Sequence, residues 1–188
     1  MNCRACPNEY PEPNIINGTA YFVCENCGDV YEVDNYRVYT KEELIEMFEK
    51  ENAIKLPEEY IEYAGTNDSW VVKLPQSDTG SLKDYFGEEF YEIGGFSGLD
   101  KNKYLSIFDS ASLVKEWNLP LKLVLIDGDG HTWLALDYRN CDKNPKVILI
   151  ESNEGNSLVV ANSFKELVLS LLPYESVYDR SGNIIYKE

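Results

Sequence analysis

Two closely spaced pairs of cysteines constrain how the first thirty residues can fold. Cys3 and Cys6 form one C-x2-C pair, and Cys24 and Cys27 form a second pair seventeen residues later. This spacing lets two knuckle turns present four thiolates tetrahedrally to one Zn²⁺ ion, and Gly28 directly after the second pair suits such a turn. Because four thiolates leave no coordination position for water, the pattern predicts a structural zinc. An iron-loaded or empty site and redox-active thiols are the alternatives.

Residues 1–36 are predicted to form a zinc-ribbon appendage that is too small to build its own core. Strand-like runs within it are Tyr21 to Val23 and Val30 to Val33. Only Arg4 and Arg37 flank the cysteine pairs, amid several acidic residues. An acidic ribbon is a poor reader of nucleic acid, so we expect a stabilising cap or an element that docks on a protein.

The charge of the chain limits its partners. Its 188 residues include 17 Lys and Arg against 33 Asp and Glu, a formal net charge of −16. Such a field repels nucleic acid and anionic lipid and attracts basic proteins. The N-terminus MNCRACPNEY lacks the features of a secretory signal, and no apolar run could span a bilayer. We therefore expect a cytoplasmic protein with a basic protein partner and neither nucleic acid nor membrane.

Residues 37–188 are predicted to form an α+β domain with a largely antiparallel or mixed sheet, because most of the predicted strands have connections too short for parallel crossovers. The tail is predicted to be a hairpin around DRSGN. Helical patterns run from Thr40 to Asn52, Pro57 to Gly65, Ser110 to Trp117 and Ser163 to Pro173, the last with Leu171 and Leu172 on its apolar face. Strand patterns are Trp70 to Leu74, Tyr91 to Ile93, Leu121 to Ile126, Trp133 to Asp137, Lys146 to Ile150, Leu158 to Val160, Val177 to Tyr178 and Ile184 to Tyr186.

The run VLIDGDGHTW is the segment that most resembles a catalytic motif. A phosphatase that uses Asp127 and Asp129 would need a threonine where the chain has His131. A calcium-binding EF-hand loop fails as well, because its fifth and twelfth positions would be His131 and Tyr138. The Asp-Gly pairs instead favour a tight hairpin turn.

No other set of residues assembles a catalytic pattern. His131 is the only histidine, and Cys141 has no second histidine to activate it. Adjacent carboxylates such as Glu88 and Glu89 are expected by chance in so acidic a chain, and a solvated surface is the simpler interpretation. The sequence favours binding over catalysis.

From about residue 40 to 172 the order of features resembles the SUKH superfamily, which includes bacterial immunity proteins and the yeast Smi/Knr cell-wall regulators. The chain departs from that pattern in the loop GTNDSW and in carrying a zinc ribbon. The matching segments are an N-terminal helix, LPEEYIEYAGTND (56–68), EIGGF (92–96), EWNLP (116–120), IDGDGHTWLALDYR (126–139) and NSFKELVLSLL (162–172).

This resemblance implies a SUKH-like α+β fold with a twisted sheet, no catalytic residues, and direct binding to a cognate bacterial toxin, often a nuclease. A nuclease toxin carries a basic cleft, which agrees with the charge of this chain. Core packing is the competing interpretation for the two tryptophans among the candidate contacts, and a solvated surface for the acids. The candidate partner contacts are Glu88, Glu89, Asp127, Asp129, Trp117 and Trp133.

Two further functions stay open. One is a regulatory or scaffold adaptor that uses the ribbon to dock on a cellular protein. The other is a hydrolase that uses Asp127 and Asp129, which the mismatched motif disfavours.

Overall fold

The structure is a computed structural model of the chain, and it describes residues 3, 5–8, 13–17, 19–33, 37–75, 89–100, 106–152 and 155–187. The chain divides into two compact units, residues 1–44 and 45–188, and each unit is described by itself.

The first unit contains a three-stranded antiparallel sheet. Its strands in chain order are β1 (Asn14–Ile16), β2 (Thr19–Val23) and β3 (Val30–Val33), which confirms the two predicted runs and adds β1. Ala20 and Phe22 are buried on one face, together with Cys3 and Cys24. This small cluster is the whole buried core that the described part of the unit contains, so cysteine side chains supply much of it.

The second unit combines two antiparallel sheets with short helices, which confirms the predicted α+β class. Its strands are β4 (Trp70–Lys73), β5 (Phe90–Ile93), β6 (Leu123–Gly128), β7 (Thr132–Asp137), β8 (Lys146–Glu151), β9 (Ser157–Ala161) and β10 (Leu171–Pro173). The helices are α1 (Lys41–Asn52), which begins in the first unit, α2 (Glu58–Tyr63), α3 (Ser110–Glu116), α4 (Phe164–Ser170) and α5 (Tyr174–Val177), with a 3-10 turn at Ile107–Asp109.

Local sequence determines where several helices begin. Thr40 caps α1 as predicted, because the Glu43 N–H donates to its hydroxyl and the Thr40 N–H donates to the Glu43 carboxylate. Ser163 caps α4 by accepting the Glu166 N–H, but here the Glu166 carboxylate accepts the N–H of Asn162 instead of that of the capping residue. Within the described ranges, no helix has both the length and the hydropathy that crossing a bilayer requires.

The sheet of order β6-β7-β8-β9 is buried on both faces. Ile126 and Leu134 contribute to the main core on one side, and Leu125 and Ala135 contribute to a second cluster on the other. Helix α3 covers that second side through Val114. This double burial explains why the strands are nearly continuous apolar runs and do not alternate with polar residues.

The last long helix is shorter than predicted. Helix α4 ends at Ser170, and the residues expected on its apolar face enter strand β10 instead. Leu171 pairs with Val72 and Leu172 with Val71 in an antiparallel ladder of order β10-β4-β5. Leu171 packs against the main core and Leu172 against a separate aromatic cluster. Pairing at the sheet edge packs Leu171 and Leu172 on opposite faces, and this stabilisation exceeds the helical preference of the segment.

The C-terminal tail is only partly the hairpin that was predicted. Val177 closes helix α5 and is not a strand residue. The turn is confirmed, since Asp179 accepts the backbone N–H groups of Ser181 and Asn183. One antiparallel bridge joins Tyr178 to Ile184. The aromatic residues of this segment pack with one another and with Phe90, which favours a compact helical turn over a free strand.

The turn between β6 and β7 gives a test of this fold. Gly128 has φ +152°, and a Cβ built on it would lie 2.6 Å from the Thr132 carbonyl oxygen. We expect Gly128→Ala to lower the free energy of unfolding by about 2–3 kcal/mol, measured by urea denaturation. Gly94→Ala is the matched control, because its Cβ would meet no atom within 4 Å. Equal losses of unfolding free energy in the two variants would contradict the requirement for glycine at position 128.

Candidate metal centre and candidate binding cleft

The four cysteines of the two C-x2-C pairs come together in the first unit. All four sulfur atoms lie within 4.8 Å of one another. The Sγ atoms of Cys3 and Cys27 are 3.6 Å apart, and those of Cys6 and Cys24 are 3.5 Å apart. These distances are well beyond a disulfide bond of about 2.05 Å, so the thiols are free. The arrangement has the geometry to hold one metal ion.

Backbone turns hold the thiols in place as the knuckle pattern predicts. The Ala5 N–H donates to Sγ of Cys3 at 3.4 Å. Gly28 adopts φ +74°, and its N–H donates to the Cys24 carbonyl at 2.8 Å. The side chain of Asn26 also donates to Sγ of Cys6 at 3.7 Å. N–H groups directed at sulfur stabilise thiolates, the form that binds metal.

The thiols influence one another's ionisation. Burial raises the pKa of Cys3, but hydrogen bonds from the Ala5 N–H and from neighbouring thiols outweigh this and lower it to about 6. The Asp29 N–H lowers the pKa of Cys27, but burial and the other three thiols outweigh that and raise it to about 12. Because thiolates so close together repel one another, complete ionisation of the cluster calls for a cation among them.

A cleft of about 360 Å³ lies in the second unit, where the edge strands of its two sheets approach each other. The backbone that follows β5 is joined to β6 by a hydrogen bond of 2.7 Å from the Ser97 N–H to the Ile126 carbonyl. Strand β4 and helix α5 supply the remaining walls. The lining residues with polar or aromatic side chains include Trp70, Tyr91, Asp127, Asp129 and Tyr174.

A β-bulge in β6 turns Asp127 toward this cleft. Leu125 pairs with Ala135, but the next partner, Leu134, pairs with Asp127, so Ile126 is an extra residue in the strand. Residues paired across a ladder share a face, and Leu134 faces the main core. Without the bulge, Asp127 would point to the opposite face of the sheet.

Asp127 is a half-buried carboxylate that forms no ion pair with a Lys or Arg of the described residues. Burial raises its pKa to about 6, although N–H groups of Gly128 and Gly94 and the Tyr91 hydroxyl, 3.5 Å away, oppose the rise. Burial also raises the pKa of Tyr91, with Asp127 adding to the effect. Among the described residues, no Lys or Arg forms an ion pair with Asp127, Asp129 or Glu92.

Asp129 holds the predicted turn between β6 and β7. Its Oδ1 accepts the N–H groups of His131 at 2.8 Å and Thr132 at 2.9 Å. The Thr132 N–H is the largest cause of the lowered pKa of Asp129. The DGDG segment is therefore a hairpin turn, and Oδ2 of Asp129 is the oxygen left for a ligand.

The other candidate contacts that the structure describes, Trp117, Trp133 and Glu89, are not among the residues that line the cleft. Trp133 is only 5% exposed and packs in the second core cluster, which leaves its ring little surface for a partner. Trp117 is half-buried, with its ring 6.0 Å from that of His131. Glu89 pairs with Lys73 at 3.4 Å. Glu88 lies outside the described residues.

The sequence did not predict the aromatic residues of the cleft. Tyr91 and Asp127 are 36 positions apart, and Tyr174 lies farther along the chain still. No local spacing connects these residues, since the sheet edges that bring them together are not encoded in any one segment. One sequence feature bears on the cleft: Trp70 and Tyr91 are each the first residue of a predicted strand.

The buried carboxylate predicts an unusual pH dependence of stability. The folded chain holds the Asp127 proton more tightly, because its pKa rises from 3.8 to about 6. Protonated Asp127 therefore contributes its full stabilisation below the pKa of the unfolded chain, and this stabilisation is lost as the pH rises through the pKa of the folded chain. We expect Asp127→Asn to gain stability relative to the unmodified chain between about pH 4 and pH 7, by up to about 3 kcal/mol.

Urea unfolding followed by tryptophan fluorescence across that pH range measures this gain. Asp129→Asn is the control of opposite sign, because the pKa of Asp129 is lowered and its contribution is lost as pH falls. Parallel pH profiles for the two variants would contradict the assigned environment of Asp127.

Comparison with known proteins places the chain in a family. Residues 39–170, more than two thirds of the chain, match the family described as SMI1 / KNR4 family (SUKH-1). A search of curated proteins and a search of solved structures found no match. At the level of the family, the match supports a non-catalytic, protein-binding or immunity-like role. The matched range agrees with the predicted resemblance, and the chain belongs to the SMI1 / KNR4 family (SUKH-1).

Proposed function

We propose that this chain is an immunity protein that binds and neutralises a cognate bacterial toxin. The observation that carries the proposal is the family match over residues 39–170. A protein-binding role needs no catalytic residues. Asp127 and Asp129 were the candidate catalytic pair, and in the structure Oδ1 of Asp129 accepts two backbone N–H groups of a turn. A binding role is consistent with this arrangement.

Charge supports a basic partner, for which a nuclease toxin is the leading candidate. The chain carries a formal net charge of −16, and Asp127 and Asp129 both line one cleft. A nuclease needs a positive surface to hold nucleic acid, and an acidic protein competes for that surface. Opposite charge also accelerates association, which suits a protein that must reach its toxin first.

We further propose that the four cysteines bind one structural zinc ion. Four thiolates would complete the tetrahedral coordination of Zn²⁺ and leave no position for substrate. The described part of the first unit buries little besides Ala20, Phe22 and two of the thiols. Metal binding would therefore supply much of the free energy that folds this unit. Such reduced thiols suit the cytoplasm, where we place the protein.

The first unit also motivates a second candidate function, that of a regulatory adaptor. Val23 and Val30 pair across strands β2 and β3, and their side chains are exposed. Exposed apolar pairs on a sheet face suit docking on another protein. An adaptor would keep a defined partner in its native host when no toxin is present, whereas an immunity protein would not.

The immunity proposal predicts protection and a salt-sensitive complex. Co-expression of the chain with the toxin encoded beside its gene should restore growth of cells that the toxin kills. The purified complex should weaken at least about tenfold when salt rises from about 50 mM to about 500 mM, because screening reduces the attraction between charged surfaces. Isothermal titration calorimetry measures the change.

An unrelated toxin of similar net positive charge is the control, and the chain should not protect against it. Absence of any toxin gene nearby, or growth arrest despite co-expression, would count against the proposal. An affinity that does not change with salt concentration would contradict only the role of charge in binding, not the immunity role.

The zinc proposal predicts one zinc ion per chain in protein purified without chelator. Elemental analysis of Cys24→Ser/Cys27→Ser should find almost none, because two ligands are too few to hold the metal. Cys141→Ser is the matched control, since this fifth cysteine is exposed and is not one of the clustered thiols. It should retain the full zinc content. Iron in place of zinc, or zinc retained by the double variant, would contradict the assignment.

A further inference from the structure

The cleft between β5 and β6 places two carboxylates, neither in an ion pair with a described Lys or Arg, beside aromatic side chains. Trp70, Tyr91 and Tyr174 line it together with Asp127 and Asp129. We propose that this cleft receives an arginine side chain of the partner protein. That the arginine belongs to a protein rests on the proposed function, but the recognition of the guanidinium group can be tested separately.

The carboxylates supply the first part of the argument. Asp127 is half-buried at a bulge and its charge is not balanced by any described Lys or Arg. A carboxylate removed from water without a counterion is costly, and an incoming cation relieves that cost. Asp129 adds an acceptor, because the N–H donors of His131 and Thr132 both engage its Oδ1.

The aromatic walls supply the second part. A guanidinium group is planar, stacks on aromatic rings, and donates paired hydrogen bonds to carboxylates. Trp70, Tyr91 and Tyr174 are each half-buried and line the cleft, the first two beside the main core and Tyr174 beside the aromatic cluster. The volume of about 360 Å³ falls in the range of small-ligand pockets and exceeds what one arginine side chain needs.

Two other cations fit this cleft less well. A calcium or magnesium ion needs several oxygen ligands converging on one point. In the described part of the chain, only the four cysteines bring three or more His, Cys, Asp or Glu ligand atoms that close together. A lysine presents a compact, strongly hydrated charge that gains less from aromatic walls and from paired acceptors than a guanidinium does. Arginine is also the cation most enriched among dominant interface residues.

Titration of the full chain with N-acetyl-arginine methylamide tests the inference. The fluorescence of Trp70 in the cleft, or the NMR shifts of Gly94 and Gly128, should change saturably. N-acetyl-lysine methylamide should bind at least about fivefold more weakly, because it cannot form paired hydrogen bonds. Asp127→Asn and Asp127→Asn/Asp129→Asn should each weaken arginine binding at least about tenfold.

Glu59→Gln is the matched control, because it removes a negative charge that lies 4.0 Å from Lys165 outside the cleft. It should leave arginine binding unchanged. Circular dichroism and a thermal melt establish that each variant is folded, and Asp127→Asn alone decides the question if the change at the Asp129 turn unfolds the chain. Equal binding of the two probes, or binding unaffected by Asp127→Asn in folded protein, would overturn the inference.

The outcomes separate this inference from the proposed function. Binding of the arginine probe without protection from the adjacent toxin would support the cleft and reject the immunity role. A toxin that binds the unmodified chain and the folded Asp127→Asn variant equally would support the immunity role and reject the cleft as its contact.

Discussion

The requirement to cover both faces of the sheet β6-β7-β8-β9 shapes the second unit. Its strands carry apolar side chains on both sides, so water must be excluded from each. Helix α3 covers one face, and the rest of the main core covers the other. The smaller sheet contributes to that core, and its edge then lies beside the edge of β6, where the Ser97 N–H meets the Ile126 carbonyl. The cleft is a by-product of this packing.

Features encoded within a few residues were predictable. The cysteine spacing gave the thiol cluster, the Thr40 and Ser163 caps gave helix starts, and the DGDG run gave a turn. Features that depend on distant partners were not. Leu171 satisfies a helical pattern, yet β4 offers it a ladder and a buried position that no local pattern reveals. The same limit hid the aromatic side of the cleft.

Concentrated negative charge is compensated differently at the two candidate sites. In the first unit, four thiolates closer than 4.8 Å would share one metal ion, and the charge would be neutralised internally. In the second unit, Asp127 has backbone N–H donors but forms no ion pair with a Lys or Arg of the described ranges. A protein that leaves such a charge uncompensated gives up stability in the free state, and it recovers that cost when a cationic partner binds.

The short strand β10 has a consequence for how such proteins can diversify. It ends α4 and delivers Tyr174 to the cleft, and Tyr174 lies just beyond the range that matches the family. One wall of the cleft therefore belongs to a segment outside the range matched to the family. Substitutions in that segment can change which side chain the cleft accepts without disturbing the central sheet. Recognition and folding would then be free to evolve under separate constraints.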